Sequence, residues 1–268
     1  MRSEPAQPQK NAPAPVRTQP ANCDKHGPYD QSVIVILDRE LRGGCPECHR
    51  IANEEREQRE KAQEALTKRM AISRKLGDAL IPKRFEKRTL ANYSADNDGQ
   101  RKALSFCRHY VKIFDQIAEE GRCMVLIGKP GTGKTHLGVA IANELLHKTS
   151  RTAVYRTVGS ILQAIRATYD RHSERSEADI LSSLVTPDLL VLDEVGVSKE
   201  QPSDFELTTL FAIINGRYEQ MRPTVVISNL DGEQLPMAMG ERCVDRLREG
   251  GMIVVPFNWE SHRGKEGF

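Results

Sequence analysis

The sequence predicts an α/β domain with a five-stranded, mainly parallel sheet, preceded by a small cysteine–histidine module and a charged helix. Three observations predict it. Short apolar runs at 122–127, 152–158, 188–193, 223–228 and 252–257 alternate with helix-like stretches, as in successive βα units. The first run leads into Gly128-Lys129-Pro130-Gly131-Thr132-Gly133-Lys134-Thr135 and then into Leu137 to Leu146, which reads as a helix. Glycine–four residues–glycine–lysine–threonine between a buried strand and a helix is a phosphate-binding loop. The third run, Leu189-Leu190-Val191-Leu192, ends in the paired carboxylates Asp193-Glu194.

Taken in chain order, residues 1–22 hold Pro5, Pro8, Pro13, Pro15 and Pro20 among Ala, Gln and Asn, and read as a disordered tail. Residues 23–50 form a compact segment whose centre, Val33 to Leu37, favours a strand. Residues 51–80 are dense in Glu, Arg, Lys and Ala. Pairs such as Glu55–Arg59 and Glu57–Lys61 fall at i,i+4, which supports a charged helix serving as a spacer or a partner-binding face. Pro82 closes that region, and residues 81–268 are expected to be the larger domain. There, 99–120 reads as a helix with Leu104, Tyr110, Val111 and Phe114 available for burial, ahead of the five strands.

Composition narrows the function classes. With 38% hydrophobic and 28% charged residues the chain has the composition of a globular protein. Neither a membrane-length apolar run nor a signal-peptide core is present in the sequence, so no membrane role is expected. A net charge of +2 gives no bulk attraction to nucleic acid, so any such binding must come from local patches. Six cysteines, three of them at metal-ligand spacing, suit a reducing cytoplasm rather than a disulfide framework.

The loop implies a nucleoside triphosphate with Mg²⁺. Gly128, Pro130, Gly131, Thr132 and Gly133 let the backbone bend so that N–H groups and a helix N-terminus face the phosphates. Lys134 would reach the β/γ-phosphates, the Thr135 hydroxyl would hold Mg²⁺, and His136 adjoins them. Asp193 is the expected acidic partner for the cation, and Glu194 is placed to activate water. Because a phosphoryl transferase must exclude water, the pair favours hydrolysis. Asn229 follows the strand 223–228 and would orient water or sense the γ-phosphate; a turn-forming asparagine is the other reading. Arg242 and Arg246, at i,i+4, suit a γ-phosphate presented from a neighbouring subunit, or else form a solvated basic face.

Cys23-x2-His26, eighteen residues, then Cys45-x2-Cys48 matches the double-hook spacing of a structural zinc site. Two other readings stand beside it: a redox Cys45–Cys48 pair, and His49 replacing His26 as a ligand.

These residues together resemble the DnaC family of replicative-helicase loaders, AAA+ ATPases related to the IstB transposition helpers. The resemblance spans about 79–263 and rests on Gly128–Thr135, Asp188–Gly196, Asn215–Leu230, Gly240–Arg248 and Phe257–Arg263. It implies a P-loop AAA+ core of the ASCE type without a C-terminal lid. Lys134 and Thr135 would belong to Walker A, Asp193 and Glu194 to Walker B. Asn229 would be sensor 1, Arg246 the arginine finger with Arg242 beside it, and Arg263 a candidate sensor 2. It further implies ATP, Mg²⁺, a homo-oligomer with ATP at its subunit interface, single-stranded DNA and a DnaB-type replicative helicase as partner. Tyr169 and Phe205 are candidate base-stacking residues, or else packing residues. An IstB-like transposase helper and a non-catalytic ATP-gated DNA-binding adaptor are the rival readings. Unlike the family's helical N-terminal module, this chain carries the zinc-type segment, for which helicase docking by 23–77 is the expectation.

Overall fold

The computed structural model describes residues 16–36, 39–197 and 201–261. They form two compact units, one up to Arg69 and one from Met70. In the first, β1 (Val16–Cys23), β2 (Gly27–Ile36) and β3 (Arg39–Arg42) make an antiparallel sheet in that order. This corrects the expected tail: residues 16–22 are a strand, while 1–15 lie outside the described residues. Pro20 is compatible with it because β1 is an edge strand, where a missing ladder donor costs nothing.

Helix α1 (Pro46–Asp78) starts at the second cysteine hook and runs through the unit boundary. The second unit therefore begins at Met70 and not at 81. Its first residues are firmly tied in: Ala79 is fully buried and its carbonyl accepts from Tyr155 N, while Lys75 Nζ donates to the carbonyls of Thr149 and Arg151.

The stretch expected as one helix at 99–120 is two, α2 (Asp98–Lys112) and α3 (Phe114–Glu120), with Ile113 at non-helical dihedrals between them. Asn97 and Gln100 form a reciprocal capping box at the start of α2. The five strands fall where the apolar runs predict them: β4 (Met124–Gly128), β5 (Ala153–Thr157), β6 (Leu189–Val195), β7 (Thr224–Ser228) and β8 (Ile253–Phe257). All pair in parallel, in the order β5-β6-β7-β4-β8. The break in sequential order puts β4 beside β7, which makes the carboxyl ends of β4, β7 and β6 a ligand crevice.

Strand alternation separates two cores. Met124, Leu126, Val191 and Ile227 face α2 and α4 (Lys134–Lys148); Val125, Ile127, Leu192 and Val226 face the other layer. That layer holds α5 (Val158–Ala167), α6 (Glu177–Val185), α7 (Asp204–Glu219), α8 (Leu235–Met239) and α9 (Glu241–Glu249). Two helices, α5 and α6, thus fill the connection between β5 and β6. Among the described residues no helix follows β8, and none is long and apolar enough to cross a membrane.

A buried arginine missed by sequence reasoning locks this framework. Arg217 on α7 is 1% exposed and donates to the carbonyls of Leu184, Val185, Pro187 and Pro223 and to Thr224 Oγ1. It ties the end of α6 to the entries of β6 and β7, so the strands that end at the crevice also start from a fixed base.

Candidate functional site

The phosphate loop is shaped by glycines where a side chain has no room. Gly128 has φ +127°, and a Cβ there would lie 2.4 Å from the Phe257 carbonyl oxygen on β8. Gly133, at φ +96°, caps α4, and a Cβ there would press on the Tyr93 ring at 2.8 Å. The loop's centre is held from two sides. Trp259 Nε1 donates to the Thr132 carbonyl at 3.0 Å, and Tyr93 OH donates to the same oxygen at 3.3 Å. Lys134 Nζ, almost fully buried, donates to the carbonyls of Gly128 and Lys129 at 2.6 and 2.7 Å. Pro130 and Gly131 lie at the outer bend, Gly131 at φ +76°. His136 Nε2 lies 3.0 Å from both Thr89 O and Asn92 Oδ1, so this nitrogen carries the hydrogen; burial holds the ring's pKa below its usual value.

The acidic end of β6 meets this loop directly. Asp193, 3% exposed, accepts from Thr135 Oγ1 at 2.9 Å and from Tyr155 OH at 2.8 Å on one oxygen, and from Glu194 N at 2.7 Å on the other. The register between β6 and β7 shifts between Leu192 and Val195, and Glu194 adopts a left-handed φ of +61°. This irregularity turns Asp193 inward while leaving Glu194 exposed, a re-aiming that β-bulges perform beside functional sites. A buried carboxylate beside a hydroxyl is a hard-oxygen donor set, which suits Mg²⁺. Asn229 is exposed just past β7, between the ends of β6 and β4.

The arginines are placed differently. Arg242 and Arg246 lie on α9, in the layer across the sheet from α4. Arg246 stacks its guanidinium 4.6 Å from the Tyr218 ring centroid and pairs with Glu249 at 3.0 Å; Arg242 is exposed. Arg263 lies outside the described residues. Tyr169, 63% exposed just beyond α5, donates to Glu177. Phe205, half-buried on α7, receives the Arg166 guanidinium 5.5 Å from its centroid.

In the first unit, Cys23, His26, Cys45 and Cys48 converge, their ligand atoms all within 4.8 Å of one another. Individual separations are 3.6 Å for Cys23–Cys48 and 3.2 to 3.7 Å from the sulfurs to His26 Nδ1. Ligands of a tetrahedral zinc, with bonds of roughly 2.1–2.3 Å, lie about 3.4–3.8 Å apart, so the set fits that ion. Backbone N–H groups of Lys25 and His26 point at Cys23 and pull its thiol pKa down to about 6. His26, and not His49, completes the cluster. His49 turns to Gly44, where an added Cβ would meet its Nε2 at 2.6 Å.

Sequence reasoning missed Tyr155, Tyr93 and Trp259 at the nucleotide site. Trp259 lies within Phe257–Arg263, where a role was expected for Arg263 alone, and no spacing rule links Tyr93 or Tyr155 to their partners.

Comparison with known proteins agrees with this geometry. The family described as IstB-like ATP binding protein matches residues 55–266. Replicative helicase loader DnaC of Escherichia coli (strain K12) is 41% identical over 175 residues, covering 65% of this chain and 68% of that protein. The loader DnaC of Buchnera aphidicola subsp. Acyrthosiphon pisum is 35% identical over 197 residues, covering 73% and 77%. A crystal structure of the DnaC helicase loader superposes with a TM-score of 0.57 at 26% identity, covering 65% of this chain and 99% of that one. A five-stranded AAA+ core with Thr135 of the phosphate loop in contact with Asp193, matched over most of its length by these relatives, places the chain in the family of IstB-like ATP-binding proteins and DnaC-type helicase loaders.

Proposed function

We propose that this chain loads a DnaB-type replicative helicase onto single-stranded DNA, binding and hydrolysing ATP where two copies of the chain meet. The observation that carries the reading is the contact of Thr135 with Asp193 beside the exposed Glu194, in a core shared with proteins named as helicase loaders. Backbone N–H groups of residues 131–135 and the Lys134 ammonium would bind the phosphates. Thr135 and Asp193 would hold Mg²⁺, whose charge offsets that of the β- and γ-phosphate oxygens. Glu194 would take a proton from the attacking water, and Asn229 would orient that water. Arg246, with Arg242 beside it, would reach the γ-phosphate held by the neighbouring copy; its planar fork suits that contact.

Arg166, Tyr169 and Phe205 support single-stranded DNA binding, since cations interleaved with aromatic faces suit phosphates and stacked bases. The Cys23–His26–Cys45–Cys48 cluster would hold a structural Zn²⁺, with four protein ligands and no open position for catalysis. Residues 23–77 would dock the helicase. The description of the matched family favours a second reading, a transposase helper with the same core.

Full-length protein mixed with a DnaB-type helicase in ATP should form a complex that survives gel filtration. Glu194→Gln should cut steady-state hydrolysis at least 10²-fold while leaving nucleotide binding intact. Absence of the complex in ATP overturns the loader reading. Unaltered hydrolysis in Glu194→Gln removes that residue from the chemistry and favours an ATP-gated adaptor.

A further inference from the structure

We propose that Tyr155 is a positioning residue of the cation site: its hydroxyl holds the Asp193 carboxylate in the orientation that receives Mg²⁺. The inference deepens the hydrolytic reading above, and rests on its assignment of Asp193 and Thr135 to the cation.

The sheet register explains how the contact arises. Tyr155 on β5 is paired with Val191 on β6, and Asp193 lies two residues further along β6 on the same face. Diagonal neighbours of this kind are about 7–8 Å apart at their backbones, a span that a tyrosine crosses and a shorter side chain does not. The hydroxyl ends 2.8 Å from Asp193 Oδ2. The other side-chain donor to that oxygen is Thr135 at 2.9 Å, which under the proposed function would also be a cation ligand. Tyr155 has no such duty.

Its placement is also over-determined. It is 5% exposed, its ring packs against Phe85 at 6.4 Å, and its backbone N–H is tied to the Ala79 carbonyl. A neutral donor has one further merit here. A lysine or arginine in its place would cancel the negative charge that attracts the cation, whereas a phenol orients the carboxylate and leaves its charge intact.

The test is a Mg²⁺ titration of mant-ATP binding to the full-length wild type and Tyr155→Phe. The substitution removes one oxygen and keeps the ring in its packing. Metal-free affinity should stay within twofold of wild type. The Mg²⁺ concentration that half-saturates the metal-dependent gain in affinity should rise about tenfold, the scale of a lost hydrogen bond to a charged acceptor. Superimposable Mg²⁺ titrations would overturn the proposal. So would a loss of metal-free affinity together with a lowered melting temperature, which would make Tyr155 a packing residue. A wild-type chain that binds mant-ATP but hydrolyses no ATP sinks the hydrolytic reading alone, because every arm here reads binding.

Discussion

The two units of this chain solve the same problem, holding a binding loop still, by opposite means. The nucleotide unit fixes its phosphate loop between two hydrophobic cores. Met124, Leu126, Leu137 and Ile141 on one face of the sheet and Val125, Leu192 and Val226 on the other are buried to 2% exposure or less. The cysteine–histidine ribbon has almost no core. Among its described residues only Val33 and Cys45 count as buried apolar side chains, while Val35, Ile36 and Leu41 are exposed. A segment of this size cannot offset its chain entropy by burial alone; a metal held by the four side chains that meet at one point would supply the missing stabilisation. With a metal held there, stability in the first unit would be conditional on that ion, whereas in the second it comes from the core.

The sharpest way to break that contrast is to remove the metal. Chelation, or Cys45→Ser, should release one zinc per chain and unfold residues 16–48, a loss on the order of 10 kcal/mol. The melting transition of the nucleotide unit should not move. Zinc release followed with a chromogenic chelator, alongside calorimetry, checks both halves; a ribbon that stays protease-resistant without zinc removes the distinction. Next in size is Leu126→Ala, deep in the sheet, which should cost the nucleotide unit about 3–4 kcal/mol by urea denaturation and leave zinc content unchanged. The smallest effect is expected for Val33→Ala. With two methyl groups lost from a fully buried site it should cost about 1.5 kcal/mol, measurable as a modest rise in zinc dissociation rate. A Val33 effect as large as that of Leu126 would mean that the ribbon has a core worth the name.

Legibility in the sequence followed the range of the interactions. The strands, the phosphate loop and Asp193 could be read because each is written in contiguous residues: an apolar run, then its loop or acid. The convergence of Cys23, His26, Cys45 and Cys48 could be read because their spacing is itself the geometry. What stayed hidden depends on partners far along the chain. Tyr155 meets Asp193 across 38 positions and Trp259 meets Thr132 across 127, and no local pattern announces either. The strand at 16–22 was hidden for another reason. Pro20, Ala21 and Asn22 carry little strand propensity, and pairing along β2 from Gly27 to Ile34 gives the backbone its shape. The boundary at Met70 was obscured by α1, whose charged surface is continuous while its packing changes beyond that residue.

The hydrogen bond from Trp259 to the Thr132 carbonyl has an optical consequence. The chain contains one tryptophan, and its indole is fastened to the middle of the phosphate loop. Indole emission from the unlabelled protein is thus a signal from that single point, free of background from other tryptophans. Occupancy of the loop should therefore change the colour or intensity of the protein's own indole fluorescence, followed in a nucleotide titration.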